Sequence, residues 1–314
     1  MKIAIIGTGG VGGYFGGKLA NAGYDVTFVA RGEHLEAIRE KGLKIKSIAG
    51  NINVRKAKAT AEIKNIGKVD LVLLGVKAWQ VKDVARQLKD VTADHTTILP
   101  LQNGVMAARE LAIHLDKKNI VGGLCRIISE IEAPGIIRHS GVEPFIAFGE
   151  LDKHKTGRTA AIKALFDHAG IASQVADDIH VELWNKFMAI CVSGLLAVTR
   201  STYGTVRELK ETRKMMNDLL SEIYEISFGE KIRLDDKIIE KTMRLIDSYP
   251  YDSISSLTRD VMAGRPSEIE YQNGTVVKLG EKYNINVPVN RHIYNCILPM
   301  ELAARAKAKK RING

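Results

Sequence analysis

The chain has 314 residues, a length typical of about two domains and ample for a buried core. Apolar residues make up 45% and charged residues 26% of the sequence, which excludes a disordered or fibrous protein. Since it contains no uninterrupted apolar run of about 18 residues and its apolar N-terminus is too short for a secretion signal, we expect neither a membrane span nor a cleaved leader. The formal net charge of +10 is compatible with nucleic-acid binding and with an enzyme that acts on phosphorylated or carboxylated small molecules.

Three cysteines lie far apart, without the spacing of metal ligands: Cys125, Cys191 and Cys296. We therefore expect no disulfide framework and no metal site, and the predicted location is the cytoplasm. Part of the positive charge comes from the segment RAKAKKR near the C-terminus, which we interpret as a solvated helix end. Aromatic residues make up only 6% of the chain and form no motif with Arg and Lys, so no nucleic-acid partner is expected.

A short apolar segment at residues 2–6 leads directly into a glycine-rich segment. Eight of the 28 glycines lie within the first 23 residues, and Gly7, Gly9 and Gly12 have the G-x-G-x-x-G spacing. Between a strand and a helix this spacing is typical of a dinucleotide site, because it permits a tight turn, close approach of a pyrophosphate and packing of helix on strand. A second predicted strand, residues 25–30, supports this interpretation. The predicted cofactor-binding residues here are Gly7, Thr8, Gly9, Gly10, Val11 and Gly12.

The end of the second predicted strand indicates which dinucleotide binds. A site for NAD usually has an acidic residue there for the ribose 2′-hydroxyl, whereas an arginine accommodates the 2′-phosphate of NADP. Here the strand is followed by Arg31, and the nearest acid, Glu33, lies beyond a glycine. The sequence therefore predicts NADP(H), with a plain surface charge as the alternative for Arg31.

Two further apolar segments, residues 69–76 and 97–101, are predicted as buried strands. Lys77 follows the first strand directly and Asn103 follows the second. Because ligands bind at the carboxyl ends of parallel strands, both residues are predicted to face the cofactor. Asn103 can donate and accept hydrogen bonds at once, which suits contact with cofactor and substrate. The alternatives are an exposed lysine and an ordinary Asn-Gly turn.

Beyond residue 176 the pattern becomes helical. The sequence predicts an α/β protein: a Rossmann-type, doubly wound parallel sheet in residues 1–175, then an all-helical domain in residues 176–314, with the active site in the cleft between them. Lys186 lies inside an apolar helix, where a lysine needs either a route to water or a function. Judged from the local sequence alone, Lys186 is predicted to be a surface lysine, and Glu268 an ordinary carboxylate in the first turn of a helix.

At this point the sequence resembles the ketopantoate reductases (2-dehydropantoate 2-reductases) along essentially its whole length. The matching segments are GTGGVGGYFGGKLANAG, VKAWQ around Lys77, QNG at Asn103, ELWNKF around Lys186, and SSLTRDVMAGRPSEIEYQNG. Arg31 at the strand end also matches. The last segment is the most specific, since a dinucleotide-binding fold alone does not predict it.

The resemblance implies a role for several residues. Lys186 is the expected proton donor to the ketone, and Glu268 is expected beside cofactor and substrate. Asn103 is expected to touch both molecules, and Ser256 to bind the substrate. The implied reaction is NADPH-dependent reduction of ketopantoate to (R)-pantoate in pantothenate and coenzyme A biosynthesis.

One part of the family pattern is missing. Well-known members carry two asparagines four and eight residues after the lysine, whereas this chain has Ile190 and Gly194. Ser193 could replace one polar contact, and a more apolar wall would relax specificity. The alternative function is therefore a related D-2-hydroxyacid (D-mandelate-type) dehydrogenase acting on other 2-oxo acids, and a more distant one is a non-catalytic NADP(H)-binding sensor. The apolar stripe of the last helical segment is either core or the surface of a homodimer.

Overall fold

The computed structural model describes residues 1–313, and the side chains of residues 1–310. The chain divides into two compact units, residues 1–102 with 106–182, and residues 103–105 with those from 183 onward. The division falls inside helix α6 (Ile179–Thr199) and not after residue 175 as predicted. The physical reason is that the first turn of α6 belongs to the core of the N-terminal unit, where Ile179 packs on Gly122 and Gly149.

The N-terminal unit contains a five-stranded parallel sheet, as predicted. Its order is β5-β2-β1-β6-β7, and each neighbouring pair is parallel. Successive residues of β1 point to opposite faces, so Ile3 and Ile5 enter one hydrophobic cluster while Ala4 and Ile6 enter another. Burial on both faces explains why β1 and β6 read as continuous apolar runs. The strands are β1 (Lys2–Ile6), β2 (Asp25–Val29), β5 (Lys58–Thr60), β6 (Leu71–Leu74) and β7 (Thr97–Pro100).

Helices accompany this sheet, and α1 follows β1 through the glycine-rich loop. The predicted strands at 25–30, 69–76 and 97–101 are present but shorter than expected. The helices of this unit, besides the start of α6, are α1 (Gly10–Asn21), α2 (Gly32–Lys41), α3 (Val81–Leu88), α4 (Ala107–Leu111) and α5 (Gly157–His168).

A second, mixed sheet of this unit was not predicted. Its order is β10-β9-β3-β4, and β8 pairs with β9 as a long antiparallel hairpin. The turn of the hairpin contains Pro134 and Gly135, and Gly135 has a φ of 74°. This Pro-Gly dipeptide was the sequence signal that could have revealed the hairpin. The strands are β3 (Leu43–Ser47), β4 (Ile52–Val54), β8 (Gly122–Ala133), β9 (Ile136–Gly149) and β10 (Ala172–Val175).

The described residues of the C-terminal unit form helices and no strand, as predicted. Trp184, Phe187 and Cys191 form the buried face of α6 that the periodicity indicated. In the last helix Ile293 and Ile297 are buried, whereas Met300 and Leu302 are exposed, so only part of the apolar stripe is core. Besides α6, the helices are α7 (Tyr203–Glu208), α8 (Lys210–Gly229), α9 (Ile238–Asp247), α10 (Ser256–Met262), α11 (Asn273–Tyr283) and α12 (Pro288–Asn313).

Helix α6 is long and apolar enough to cross a membrane when judged by length and composition alone. However, 61% of its most apolar window is buried inside the fold, and the core helices of soluble proteins pass the same test. This is weak evidence for a membrane span.

His34 connects α2 to the turn of the β8–β9 hairpin, and this contact depends on pH. Its Nδ1 accepts a hydrogen bond from the Gly135 backbone N–H at 3.0 Å, which requires a neutral ring. Burial lowers the pKa of His34, and the nearby polar backbone of Thr8 offsets part of this effect. The stabilisation is therefore complete above about pH 6.5, the ordinary pKa of histidine, and is lost as the pH falls through the lower pKa of the folded state.

We expect the free energy of unfolding to decrease below about pH 6.5 in the wild type and to decrease less in His34→Asn. The Asn Oδ1 can accept the same hydrogen bond without titrating. Urea denaturation at a series of pH values measures the difference between the two proteins. An identical pH dependence in both would show that His34 is not the titrating group.

Candidate active site

The glycine-rich loop is fixed to the end of β2. The backbone N–H groups of Gly7 and Thr8 both donate to the Val29 carbonyl, at 3.2 and 3.1 Å, and the Thr8 hydroxyl donates to the same oxygen at 3.0 Å. Gly7 has a φ of +92°, a conformation that favours glycine. Thr8 is buried, so its side chain supports the loop from inside while the backbone of the loop remains available to a ligand.

Protein packing explains the glycine at position 12 but not the one at position 9. A Cβ on Gly12 would lie 2.2 Å from the Gly7 carbonyl oxygen, so α1 can approach β1 only with glycine there. A Cβ on Gly9 would meet nothing within 4 Å, and the backbone of Gly9 is extended. The open space beside Gly9 is what close approach of a ligand phosphate requires.

The start of α1 is suited to an anion. Gly9 is its N-cap and offers no side-chain hydrogen bond, and the first turn contains no acidic residue. The first backbone N–H groups of the helix and its positive dipole end are therefore not neutralised by this helix's own side chains. The residues present thus fit a dinucleotide pyrophosphate.

Arg31 and Lys77 follow β2 and β6, the two strands that flank β1 in the parallel sheet. Arg31 is exposed and is the N-cap of α2, directly after β2. Lys77 follows β6, is exposed, and has its ammonium 5.8 Å from the centroid of the Trp79 ring. Arg31 is thus exposed to solvent directly after β2, and its contact with a 2′-phosphate stays a prediction.

Gln102 is a supporting residue that the sequence analysis missed. Its side chain is buried, and Nε2 donates to the carbonyls of Leu74 and Val76, at 2.7 and 3.0 Å. These bonds fix the end of β6, the segment that leads to Lys77. The position of Gln102 directly after β7, beside Asn103, was the signal that could have identified it.

Asn103 and Glu268 are brought together although 165 positions separate them in the sequence. Within the C-terminal unit, the Asn103 Nδ2 donates to the Glu268 Oε2 at 3.1 Å. Glu268 is buried and precedes a short 3-10 turn, residues 269–271, against which Gly104 packs. Because a carboxylate only accepts hydrogen bonds, this contact orients the amide and leaves its oxygen on the other side.

Lys186 and Ile190 lie one turn apart on α6, and both are half-buried. Trp184 and Phe187, which flank the lysine in sequence, are buried at 3% and 1% exposure and hold this part of the helix in the core. The lysine thus lies at the boundary between the apolar core and the accessible surface. Such a position suits an ammonium that donates a proton to a bound ligand.

Ser193 and Ser256, both predicted to bind substrate, differ in accessibility. Ser193 is buried beside the phenol of Tyr203, whose pKa is raised to about 12 by burial. The Ser193 carbonyl also accepts a bond from the Thr258 hydroxyl at 3.1 Å. This arrangement favours a packing role for Ser193. Ser256 is exposed at the start of α10, while its neighbour Ser255 caps that helix.

Comparison with known proteins assigns the family. The model of the ketopantoate reductase PanE/ApbA family matches residues 3–153, and the model of its C-terminal domain matches residues 178–301. The chain belongs to the ketopantoate reductase PanE/ApbA family. This confirms the resemblance found in the sequence, and with it the fold class.

Three similar proteins cover nearly the whole chain. The uncharacterized oxidoreductase YkpB of Bacillus subtilis is 28% identical over 297 residues, 94% of this chain and 97% of that protein. A 2-dehydropantoate 2-reductase of Pyrococcus horikoshii is 27% identical over 315 aligned positions, covering 100% of this chain and 99% of that protein. The crystal structure of a PanE/ApbA family ketopantoate reductase from Ralstonia eutropha is 29% identical and superposes with a TM-score of 0.89 over 97% of this chain and 100% of its own.

The two glycines of the loop give a prediction with an internal control. We expect Gly12→Ala to reduce stability by about 1 to 3 kcal/mol, because its Cβ would overlap the Gly7 carbonyl. We expect Gly9→Ala to change stability little and to weaken dinucleotide binding at least tenfold, since the methyl group fills the open space. Thermal unfolding and calorimetric titration with NADPH measure the two effects. Unchanged NADPH affinity in Gly9→Ala would show that the pyrophosphate binds elsewhere.

Proposed function

We propose that this chain is an NADPH-dependent reductase of 2-oxo acids, and that it converts ketopantoate to (R)-pantoate for pantothenate and coenzyme A biosynthesis. The observation that carries the proposal is the open space at Gly9 beside the uncapped start of α1, which is suited to a dinucleotide. Membership of the family and the names of relatives such as the Pyrococcus protein support the reaction.

The nicotinamide, when bound, supplies the hydride that reduces the C2 carbonyl. In this proposal the loop from Gly7 to Gly12 holds the pyrophosphate, Arg31 contacts the 2′-phosphate, and Lys77 contributes positive charge near the cofactor. The Lys186 ammonium stabilises the negative charge that develops on the carbonyl oxygen and transfers a proton to it.

Asn103, oriented by Glu268, binds both cofactor and substrate, and Ser256 binds the substrate. The carboxylate acts here by fixing the amide, so that its free oxygen can accept a hydrogen bond. We further propose that the protein lies in the cytoplasm, that it can assemble as a homodimer, and that it binds neither nucleic acid nor a membrane.

The second candidate is a D-2-hydroxyacid dehydrogenase of the mandelate type. It is favoured by Ile190 and Gly194, which place no amide on α6 at the positions four and eight residues after Lys186. Both candidates use the same hydride and proton transfer and differ in the side chain of the substrate.

NADPH oxidation, followed by its absorbance with ketopantoate, 2-oxoisovalerate or phenylglyoxylate, tests the proposal. We expect turnover with ketopantoate. Turnover with phenylglyoxylate alone would favour the second candidate, and NADPH binding without any turnover would favour a non-catalytic sensor.

Lys186→Ala should lower kcat at least a hundredfold while leaving the Kd for NADPH nearly unchanged, because the change removes the proton donor and not a cofactor contact. Stopped-flow turnover and calorimetric titration separate these quantities. Full turnover in the variant would exclude Lys186 as the acid.

Arg31→Ala should weaken NADPH binding about tenfold or more and NADH binding much less, because only NADPH has the 2′-phosphate. Arg39→Ala, on the same helix, is a matched control in which neither affinity should change. An equal loss of affinity for both cofactors would contradict a phosphate contact.

A further inference from the structure

A buried carboxylate on α12 holds the backbone just before Glu268. The side chain of Glu301 is only 3% exposed. Its Oε2 accepts two hydrogen bonds from Ser267, one from the backbone N–H at 2.8 Å and one from the hydroxyl at 2.6 Å. Ser267 is fully buried, and 34 positions separate it from Glu301 in the sequence. The contact therefore connects the last helix to the residue that precedes Glu268.

Arg305 extends this contact from the next turn of α12. Its Nε forms an ion pair with Glu301 Oε1 at 2.6 Å, and its Nη2 donates a hydrogen bond to the Ser267 carbonyl at 3.3 Å. The arginine thus neutralises the buried carboxylate and also bonds the peptide group that joins Ser267 to Glu268. Hydrogen bonds in which one partner is charged are stronger than those between neutral groups.

Glu301 and Arg305 together hold the two peptide groups on either side of the Ser267 Cα. Glu301 bonds the N–H, which belongs to the preceding peptide group, and Arg305 bonds the carbonyl, which belongs to the following one. Because a peptide group is planar, the orientation of the second one also places the backbone nitrogen of Glu268. The backbone is thus fixed from α12 just before it enters the 3-10 turn at residues 269–271.

The segment that follows Ser267 holds Asn103 by two contacts. Glu268 Oε2 accepts the hydrogen bond from Asn103 Nδ2 at 3.1 Å. A Cβ on Gly104 would lie 2.7 Å from the Tyr271 carbonyl oxygen, so the backbone beside Asn103 packs directly on the same turn. A donor and an acceptor more than about 3.5 Å apart no longer form a hydrogen bond. A shift of about 0.5 Å in the Glu268 carboxylate would therefore release the Asn103 amide.

We propose that Glu301 and Arg305 are positioning residues of the active site. They act through Ser267 and Glu268, and they keep the Glu268 carboxylate at the place where it orients the Asn103 amide. Neither of the two residues touches substrate or cofactor in this proposal. Their effect on turnover rests on the proposed function, whereas their effect on the Asn103 amide does not.

Glu301→Ala removes both bonds to Ser267 and the ion pair with Arg305. We expect it to lower kcat by about tenfold or more, because small misplacements at a reaction centre cost up to about a hundredfold in rate. The Kd for NADPH should change by less than about threefold, since the loop from Gly7 to Gly12 holds the pyrophosphate in the proposed function. Glu301→Gln keeps an acceptor oxygen for Ser267 and should restore part of the lost kcat. Wild-type kcat in folded Glu301→Ala would overturn the proposal.

Glu230→Ala is the matched control for the loss of a buried carboxylate. The side chain of Glu230 is 1% exposed, forms an ion pair with Lys282 at 3.2 Å and accepts a hydrogen bond from the Tyr283 hydroxyl at 2.6 Å. These partners lie at the end of α11 that is about 15 Å along the helix from its start after residues 269–271. We expect both alanine variants to lower the Tm, and only Glu301→Ala to lower kcat. Equal losses of kcat in the two would overturn the proposal.

A double variant tests whether the effect passes through Asn103. In an Asn103→Ala background the amide that Glu301 positions is absent, so Glu301→Ala should lower kcat little further. The same additional loss as in the wild-type background would show that Glu301 acts by another route and would overturn the proposal.

An NMR measurement tests the same contacts without any turnover. In protein labelled with ¹⁵N-asparagine, the Asn103 side-chain amide gives a signal that Asn103→Asp identifies. We expect Glu301→Ala to shift this signal and Glu230→Ala to leave it in place. Where Glu301→Ala does not fold, Arg305→Ala replaces it, because this side chain is 25% exposed and its loss frees the Ser267 carbonyl. An unshifted signal would overturn the proposal, whereas a shifted signal in a protein whose wild type reduces no 2-oxo acid would overturn the proposed function alone.

Discussion

The close approach of α1 to β1 is the constraint on which the N-terminal unit depends. Gly12 touches the Gly7 carbonyl, and the loop between them is bonded to Val29 at the end of β2. Gly16 packs in the same way, because its Cβ would lie 2.6 Å from Ile5, so residues without side chains set the position of the helix on the sheet. The same approach brings the first N–H groups of α1 to the carboxyl end of the sheet, where a phosphate can reach them.

In the C-terminal unit, hydrogen bonds of side-chain amides hold the candidate site residues in place. In the N-terminal unit, glycines, which have no side chain, determine the position of the loop and helix. Asn103 is oriented by Glu268, and Asn273 by Asn290 and Glu222. In both cases a carboxylate, which can only accept hydrogen bonds, fixes the orientation of an amide, which can both donate and accept them. Buried networks of this kind are costly when incomplete, so they favour a single arrangement of the helices that carry them.

The sequence predicted the parts that rest on local patterns. β1, the glycine-rich loop, α6 with its buried face, and the helical C-terminal unit follow from periodicity and from the G-x-G-x-x-G spacing. The β8–β9 hairpin escaped because its outer part, around Ile128 and Val142, is exposed and lacks a continuous apolar run. The predicted division after residue 175 missed α6 as a shared helix, because the packing of Ile179 on Gly122 and Gly149 has no local signature.

The residues of the candidate site likewise fall into those that local patterns indicate and those that depend on distant contacts. Gly7 to Gly12, Arg31 and Lys77 were predicted from their positions at strand ends, whereas the roles predicted for Lys186 and Glu268 rest on the family resemblance. Asn273 and Asn290 act through partners far away in the sequence, so no spacing reveals them. Gln102 also bonds distant residues, but its position directly after β7 was a usable signal. Ser193 was predicted to contact the substrate because its hydroxyl lies near the expected helix face. It is buried beside Tyr203, and the substrate contact stays a prediction.

At position 194 the sequence pattern and the contacts in the structure have to be considered together. From sequence alone, glycine there is a missing amide, and its consequence depends on whether a neighbour compensates. The structure supplies the neighbour, since the Asn273 oxygen is directed at Gly194 by bonds that end at Glu222 and Cys191. The glycine thus packs directly against the Asn273 carboxamide, so a side chain at 194 would require that carboxamide to shift. The surroundings of position 194 in this chain are therefore set partly by α11, a helix that the spacing from the lysine does not reach.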